Sequence, residues 1–166
     1  MMNELDLEHL RAAIALAWHA REHGNHPFGA VLADANNQLI LEAENTVITE
    51  QDCTGHAETN LVRLASRHFT PTQLAGCTLY TSTEPCAMCA GAIHWSQIGR
   101  VVYALSEDTL YEIVGNVSDQ LGLSCREVFA HTQRNVQVDG PAATLQVEAR
   151  AVHEGFWEQL GQDNGA

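Results

Sequence analysis

His56-Ala57-Glu58 and, further along, Pro85-Cys86-Ala87-Met88-Cys89 decide how this chain is read. Together the two stretches supply one imidazole, one carboxylate and two thiols. Zinc takes four ligands drawn from these donor types, and catalytic sites use three of them, leaving the fourth position to water. Cys86 and Cys89 are spaced by one helical turn, so both sulfurs project to one side of a helix. In its first turn, free N–H groups and the helix dipole favour thiolates. His56 stands at the start of a second helix. One neutral imidazole and two thiolates balance a single Zn2+ per chain. Glu58, two residues beyond the histidine, sits beside the open position as a proton shuttle rather than as a ligand. A carboxylate there takes a proton from water and returns it to a leaving group, while the metal lowers the pKa of that water. This combination adds hydroxide to an electron-poor carbon, and where that carbon carries an amine the product is ammonia. A second reading stays open: Cys53-x-x-His56 with Cys86-x-x-Cys89 gives four ligands and a structural zinc module with no role for Glu58.

Outward from these stretches, strands and helices alternate. Leu7, Leu10, Ile14, Ala17 and Trp18 recur at helical steps, so Asp6 to about Glu22 reads as an amphipathic helix with Asp6 as N-cap. Phe28 to Ala33 and Gln38 to Ala43, separated by Asp34-Ala35-Asn36-Asn37, read as antiparallel strands. Asn45 to Gly55 reads as a loop, and a helix begins at or just before His56. Cys77 to Thr81 reads as a strand, Ser82-Thr83-Glu84 as a turn, and Pro85 as the first residue of a helix running from Cys86 to about Trp95. Arg100 to Ala104 and Val136 to Val138 read as further strands. Ser106-Glu107-Asp108 opens a short helix, Leu121, Val128 and Phe129 suggest another, and a last one spans about Ala142 to Leu160. The pattern implies a single α/β domain over residues 1–166, with a sheet covered on both faces.

The net charge is −13 and the chain has no lysine. Its cations are Arg11, Arg21, Arg63, Arg67, Arg100, Arg126, Arg134 and Arg150, scattered among acidic neighbours. Nucleic-acid binding rests largely on cations that neutralise phosphates, so neither nucleic acid nor an anionic membrane surface is expected as a partner; a small neutral molecule is. No apolar run approaches the roughly 20 residues of a membrane span. Met1 to Glu8 is acidic and does not read as a secretory signal. The five cysteines are an odd number at uneven spacing, which fits a reducing cytoplasm rather than a disulfide framework.

His-x-Glu followed by Pro-Cys-x-x-Cys is the signature of zinc nucleobase deaminases, and from the first helix to about Ala104 the chain resembles the cytidine/deoxycytidylate deaminase-like superfamily. The resemblance implies a three-layer α/β/α sandwich with a central mixed five-stranded sheet, His56, Cys86 and Cys89 as zinc ligands, Glu58 as catalytic proton shuttle, and a homodimer. Within the superfamily it is nearest to the bacterial guanine deaminase branch. His26-Pro27-Phe28-Gly29-Ala30-Val31 resembles the strand that lines the base pocket, Glu44-Asn45-Thr46-Val47 the segment whose asparagine binds the base, and Gly91-Ala92-Ile93-His94-Trp95 the helix end that supplies an aromatic. The implied substrate contacts are Phe28, Asn45, Ala57 and Trp95. The implied reaction is attack of zinc-bound water on C2 of guanine, releasing xanthine and ammonia. Guanosine, cytosine, another aminopurine or a triazine are the alternatives, with tRNA adenosine last. The chain departs from that branch after the strand at Arg100, where Leu110-Tyr111-Glu112-Ile113-Val114-Gly115 and Asn116-Val117-Ser118-Asp119 replace a Gly-Phe-Asp-Asp-like segment that closes over the base. The C-terminal His153-Glu154-Gly155-Phe156-Trp157-Glu158 also lacks the basic character of tRNA deaminases.

Overall fold

The computed structural model describes residues 2–115 and 120–158. In chain order these form α1 (Glu4–Glu22), β1 (Gly29–Ala33), β2 (Leu39–Glu44), α2 (Val47–Glu50), α3 (Ala57–His68), α4 (Pro71–Leu74), β3 (Thr78–Thr83), α5 (Ala87–Ser96), β4 (Arg100–Leu105), α6 (Glu107–Val114), α7 (Cys125–Ala130) and β5 (Gln137–Asp139). A 3-10 turn at Ala143–Leu145 leads into α8 (Gln146–Ala151). The five strands make one sheet in the order β2-β1-β3-β4-β5. β1 pairs antiparallel with β2 and β3, whereas β3–β4 and β4–β5 are parallel.

Alternation along the central strands builds the two faces. Leu79, Val101 and Tyr103 point to the side covered by Leu61 and Ala65 of α3, Ala90 and Ile93 of α5 and Phe129 of α7. Tyr80, Val102 and Ala104 point the opposite way, against Leu10, Ile14 and Ala17 of α1 and Leu145 and Ala149. The result is the expected three-layer sandwich around a mixed five-stranded sheet.

Several local expectations are corrected. The N-cap of α1 is Asn3, not Asp6: the Asn3 side chain accepts from Asp6 N, and Asp6 accepts in return from Asn3 N, both at 2.9 Å. This reciprocal pair satisfies two otherwise orphaned donors, so the helix starts earlier. The loop from Asn45 to Gly55 contains α2. The strand expected to end at Thr81 runs on through Thr83, because Thr83 pairs with Leu105 in the parallel ladder. Leu121 lies outside α7 and is 57% exposed. The final helix is shorter than its periodicity implied: α8 ends at Ala151 and turns follow through Phe156. Leu160, expected on its apolar face, and Asn116 to Asp119 fall outside the described residues.

β1 crosses α1 most closely at Gly29, where a Cβ would lie 2.5 Å from Leu16 Cβ and 2.6 Å from Ala17 N. Backbone cannot give way as a side-chain tip can, so Gly29→Ala is expected to cost roughly 1–3 kcal/mol and to lower the thermal midpoint by several degrees. An unchanged midpoint would contradict the close approach.

Candidate active site

The parallel strands β3 and β4 deliver the site at their carboxyl ends, the usual place for ligands in an α/β sheet. β3 leads through Glu84-Pro85 into α5, and β4 leads into α6. His56 is the N-cap of α3 and Cys86 the N-cap of α5, both with extended backbones (φ −67°, ψ 149° and φ −64°, ψ 170°). Pro85 therefore precedes the cap instead of being the first helical residue. The His56 side chain makes no capping bond to its own helix, and it faces Cys86 and Cys89 at the start of the other. His56 Nδ1 lies 3.6 Å from Cys86 Sγ and 3.5 Å from Cys89 Sγ, and the three ligand atoms all fall within 4.8 Å of one another. Sulfur at ~2.3 Å and nitrogen at ~2.0 Å from a shared tetrahedral centre are themselves about 3.6 Å apart, so the donor set fits zinc. Cys53 is exposed and stands outside this cluster, so the closed four-donor arrangement is not formed.

Glu58 occupies the first turn of α3 and is 5% exposed. Thr81 Oγ1 donates to its Oε1 at 2.9 Å, and its Oε2 lies 3.5 Å from Cys89 Sγ. Burial, then the negative charge of Cys86, push the Glu58 carboxyl above its ordinary value, which suits a group that must both take and return a proton. The hydrogen bond from Cys89 holds the Cys86 thiol well below its ordinary value, helped by the one from His56 and opposed by burial. Thr59 Oγ1 approaches Cys89 Sγ at 3.3 Å and can donate to the thiolate.

A pocket of about 160 Å³ opens onto this cluster. His56, Glu58 and Cys86 form its base, and Phe28 lines it as the sequence suggested. Asn45 is 1% exposed; its Oδ1 accepts from Val47 N, and its Nδ2 has no hydrogen-bond partner. Such a buried donor calls for an acceptor. Asn45 itself is not among the residues that line the pocket, and neither are the other two expected contacts. Ala57 is fully buried at the head of α3, and Trp95, at the end of α5, is 81% exposed.

The remaining wall residues, Thr83, Glu84, Glu107, Leu110 and Tyr111, were missed as site residues. Glu84 does not cap the helix beside Pro85. Its Oε2 accepts from Glu107 N and its Oε1 from Cys125 N, both at 3.2 Å, so one carboxylate holds the starts of α6 and α7. Glu107 is 7% exposed and receives the Tyr111 hydroxyl at 3.0 Å. Burial pushes it up to about 7, helped by the charges of Glu84, Cys86 and Asp108 and opposed by the Tyr111 bond. Ser106-Glu107-Asp108 announced a helix, but only the β4 register tells which acid faces inward.

Behind Phe28, His153 is 1% exposed, its ring 5.3 Å from that of Phe28 and stacked on Trp157. Burial, with a contribution from the Arg21 charge, lowers His153 to about 4. A depressed histidine lends stability that is complete above the unfolded value of ~6.5 and is lost as pH falls toward 4. The expected contribution is roughly 3 kcal/mol. Thermal unfolding of wild type and His153→Gln should therefore converge as pH drops from 7 to 4; parallel curves would contradict it.

A buried carboxylate beside a three-donor metal centre, at the ends of parallel strands, is the arrangement of zinc-dependent aminohydrolases. The model of the cytidine and deoxycytidylate deaminase zinc-binding region matches residues 3–105, and the chain belongs to that family. It is 40% identical to a probable cytosine deaminase of Schizosaccharomyces pombe over 95% of both chains. It is also 40% identical to the tRNA-specific adenosine deaminase of Bacillus subtilis, covering 92% of this chain and 88% of that one. Among solved structures, the guanine deaminase of Bacillus subtilis matches with a TM-score of 0.61 and 29% identity, covering 99% of this chain and 96% of that one.

Proposed function

We propose that residues 1–166 act as one deaminase domain that hydrolyses a free, small, amino-bearing heterocycle, with guanine, giving xanthine and ammonia, as first candidate. The pocket carries this reading: at about 160 Å³ it is smaller than the roughly 300–1,000 Å³ of sites for drug-sized ligands, and it suits a bare ring system better than a nucleoside in a folded RNA. The net charge of −13 supports the same choice over tRNA. Zinc, when bound, supplies a water of lowered pKa. With zinc held by His56, Cys86 and Cys89, Glu58 would carry one proton from the attacking water to a ring nitrogen and the proton of the added hydroxyl to the departing amine, so that water enters and ammonia leaves. Asn45 Nδ2 offers a donor to the base, and Phe28 packs against its face. Cytosine is the second candidate, favoured by full-length similarity to a probable cytosine deaminase. The working form is a homodimer in the cytoplasm; among the described residues no helix is long and apolar enough to cross a membrane.

The test is ammonia release by the zinc-loaded protein from guanine, guanosine, cytosine, adenine, isoguanine and aminotriazines. Guanine turnover well above the others supports the first candidate, and turnover confined to cytosine moves the assignment to the second. Cys86→Ser is expected to lose most bound zinc and all measurable turnover, read by metal analysis beside the same assay; retained stoichiometric zinc would remove Cys86 from the ligand set.

A further inference from the structure

The pocket wall contains a hydroxyl whose polarity is set from outside the pocket. Thr83 closes β3, is 2% exposed, and lines the pocket. The one hydrogen bond its hydroxyl makes among the described residues is with His153 Nε2, at 3.4 Å. On the far side of that imidazole, Trp157 Nε1 lies 3.3 Å from His153 Nδ1. An indole N–H can only donate, and a neutral imidazole has one donor and one acceptor nitrogen. Nδ1 must therefore carry the lone pair and Nε2 the proton, so that Nε2–H donates to Thr83 Oγ1. The Thr83 hydroxyl accepts on its outer side, and its own proton is left to turn toward the pocket.

We propose that Thr83 is a substrate-contacting specificity residue: its hydroxyl, held as a donor by the Trp157–His153 pair, donates to a carbonyl oxygen or unprotonated ring nitrogen of the heterocycle. His153 and Trp157 are positioning residues that act through it. The inference rests on the functional reading above and narrows it to heterocycles that present an acceptor on the edge facing β3. Burial keeps His153 neutral above about pH 4, so its two nitrogens retain unlike roles through the neutral range. The stacked His153–Trp157 rings, 16° from parallel, and the tilted contact of His153 with Phe28 hold the imidazole against rotation. Thr83→Val keeps the shape of the side chain and removes the donor, leaving the substrate acceptor buried against a methyl group; such a loss weakens binding by about 10–100-fold.

Two measurements separate the relay from the substrate reading. Nitrogen-15 NMR of the zinc-loaded chain, with His153→Gln to assign the signal, is expected to show His153 protonated at Nε2 alone. A proton on Nδ1 would overturn the relay whatever the substrate. Calorimetric titration of guanine, and then cytosine, into the zinc-loaded Glu58→Ala protein reads binding without turnover. In that background Thr83→Val is expected to weaken the ligand about 10–100-fold, and Thr83→Ser to restore it to within about threefold. Trp157→Phe is expected to give a smaller loss together with mixed His153 tautomers. Equal binding by Thr83→Val and its parent would overturn the proposal. If the parent binds neither base, the substrate reading fails, while the NMR result still decides the relay.

Discussion

Glu58→Gln is expected to lower turnover by roughly 10²–10⁴-fold with zinc content unchanged. Glutamine preserves the volume of the buried side chain and can still accept from Thr81 Oγ1, which bonds Glu58 Oε1 at 2.9 Å. It cannot take the proton of the attacking water or hand one to the amine. Removing a carboxyl that burial already disfavours as an anion also relieves a folding cost, so the thermal midpoint should hold or rise. Ammonia release, metal analysis and thermal unfolding on one preparation check all three statements. Turnover within tenfold of wild type would take the proton shuttle away from Glu58, and lost zinc would make it a ligand.

The largest stability effect is expected far from the site. Asp6 is 2% exposed. Arg100 holds it through Nη1 on Oδ1 at 2.7 Å and Nη2 on Oδ2 at 3.1 Å, and the Tyr80 hydroxyl donates to Oδ1 at 2.8 Å. Arg100 also bonds Asp139 at 3.0 Å. The cluster ties the first turn of α1 to β3, β4 and β5. Asp6→Ala leaves a mostly buried guanidinium short of one of its two carboxylates and strands the Tyr80 hydroxyl. Breaking a buried pair from one side costs about 3–5 kcal/mol, and in a domain of this size that lowers the midpoint by about 10 °C. Burial would raise the Asp6 carboxyl, but the bonds from Arg100, Asn3 N and Tyr80 and the Arg100 charge together hold it below its ordinary value. Its contribution is therefore present above the unfolded pKa and disappears as pH falls through the depressed folded value. Wild type should accordingly lose its margin over Asp6→Ala only in strong acid. A difference that vanished by pH 6 would place the stabilisation elsewhere.

The residues of the candidate metal site and its carboxylate were legible because each lies inside a short, local pattern: His56 and Glu58 on one helical turn, Cys86 and Cys89 on another. Their chemistry restricts the alternatives more than any periodicity does. The sheet and its covering helices were legible for a related reason, since strands buried on both faces read as continuous apolar runs. What was not legible depends on distance or register. Nothing near Asp6 reveals Arg100 or Tyr80, and Asn3 competes for the cap with an equally suitable side chain. Thr83 was taken for part of a turn because Ser-Thr-Glu is turn-prone, whereas pairing with Leu105 extends the strand and aims the hydroxyl. Trp95 carried an expectation of pocket contact that belongs to the resemblance alone; at 81% exposure it meets the ring of neighbouring His94 edge-on and does not line the pocket. The last helix breaks off at Ala151, and the chain then turns through Gly155 at φ +68°, an interruption that the apolar spacing alone does not announce.

The carboxylate of Glu84 gives the fold an unusual division of labour. Because its two oxygens each hold the start of a different segment, the chain between Glu107 and Cys125 is fastened at both ends to the residue next to Pro85. Both attachment points, and the three candidate metal ligands His56, Cys86 and Cys89, lie outside the interior of that span. A lineage, or a protein engineer, can therefore exchange the wall above the metal as a cassette, with new substrates explored by insertion and deletion while the hydrolytic machinery is inherited intact.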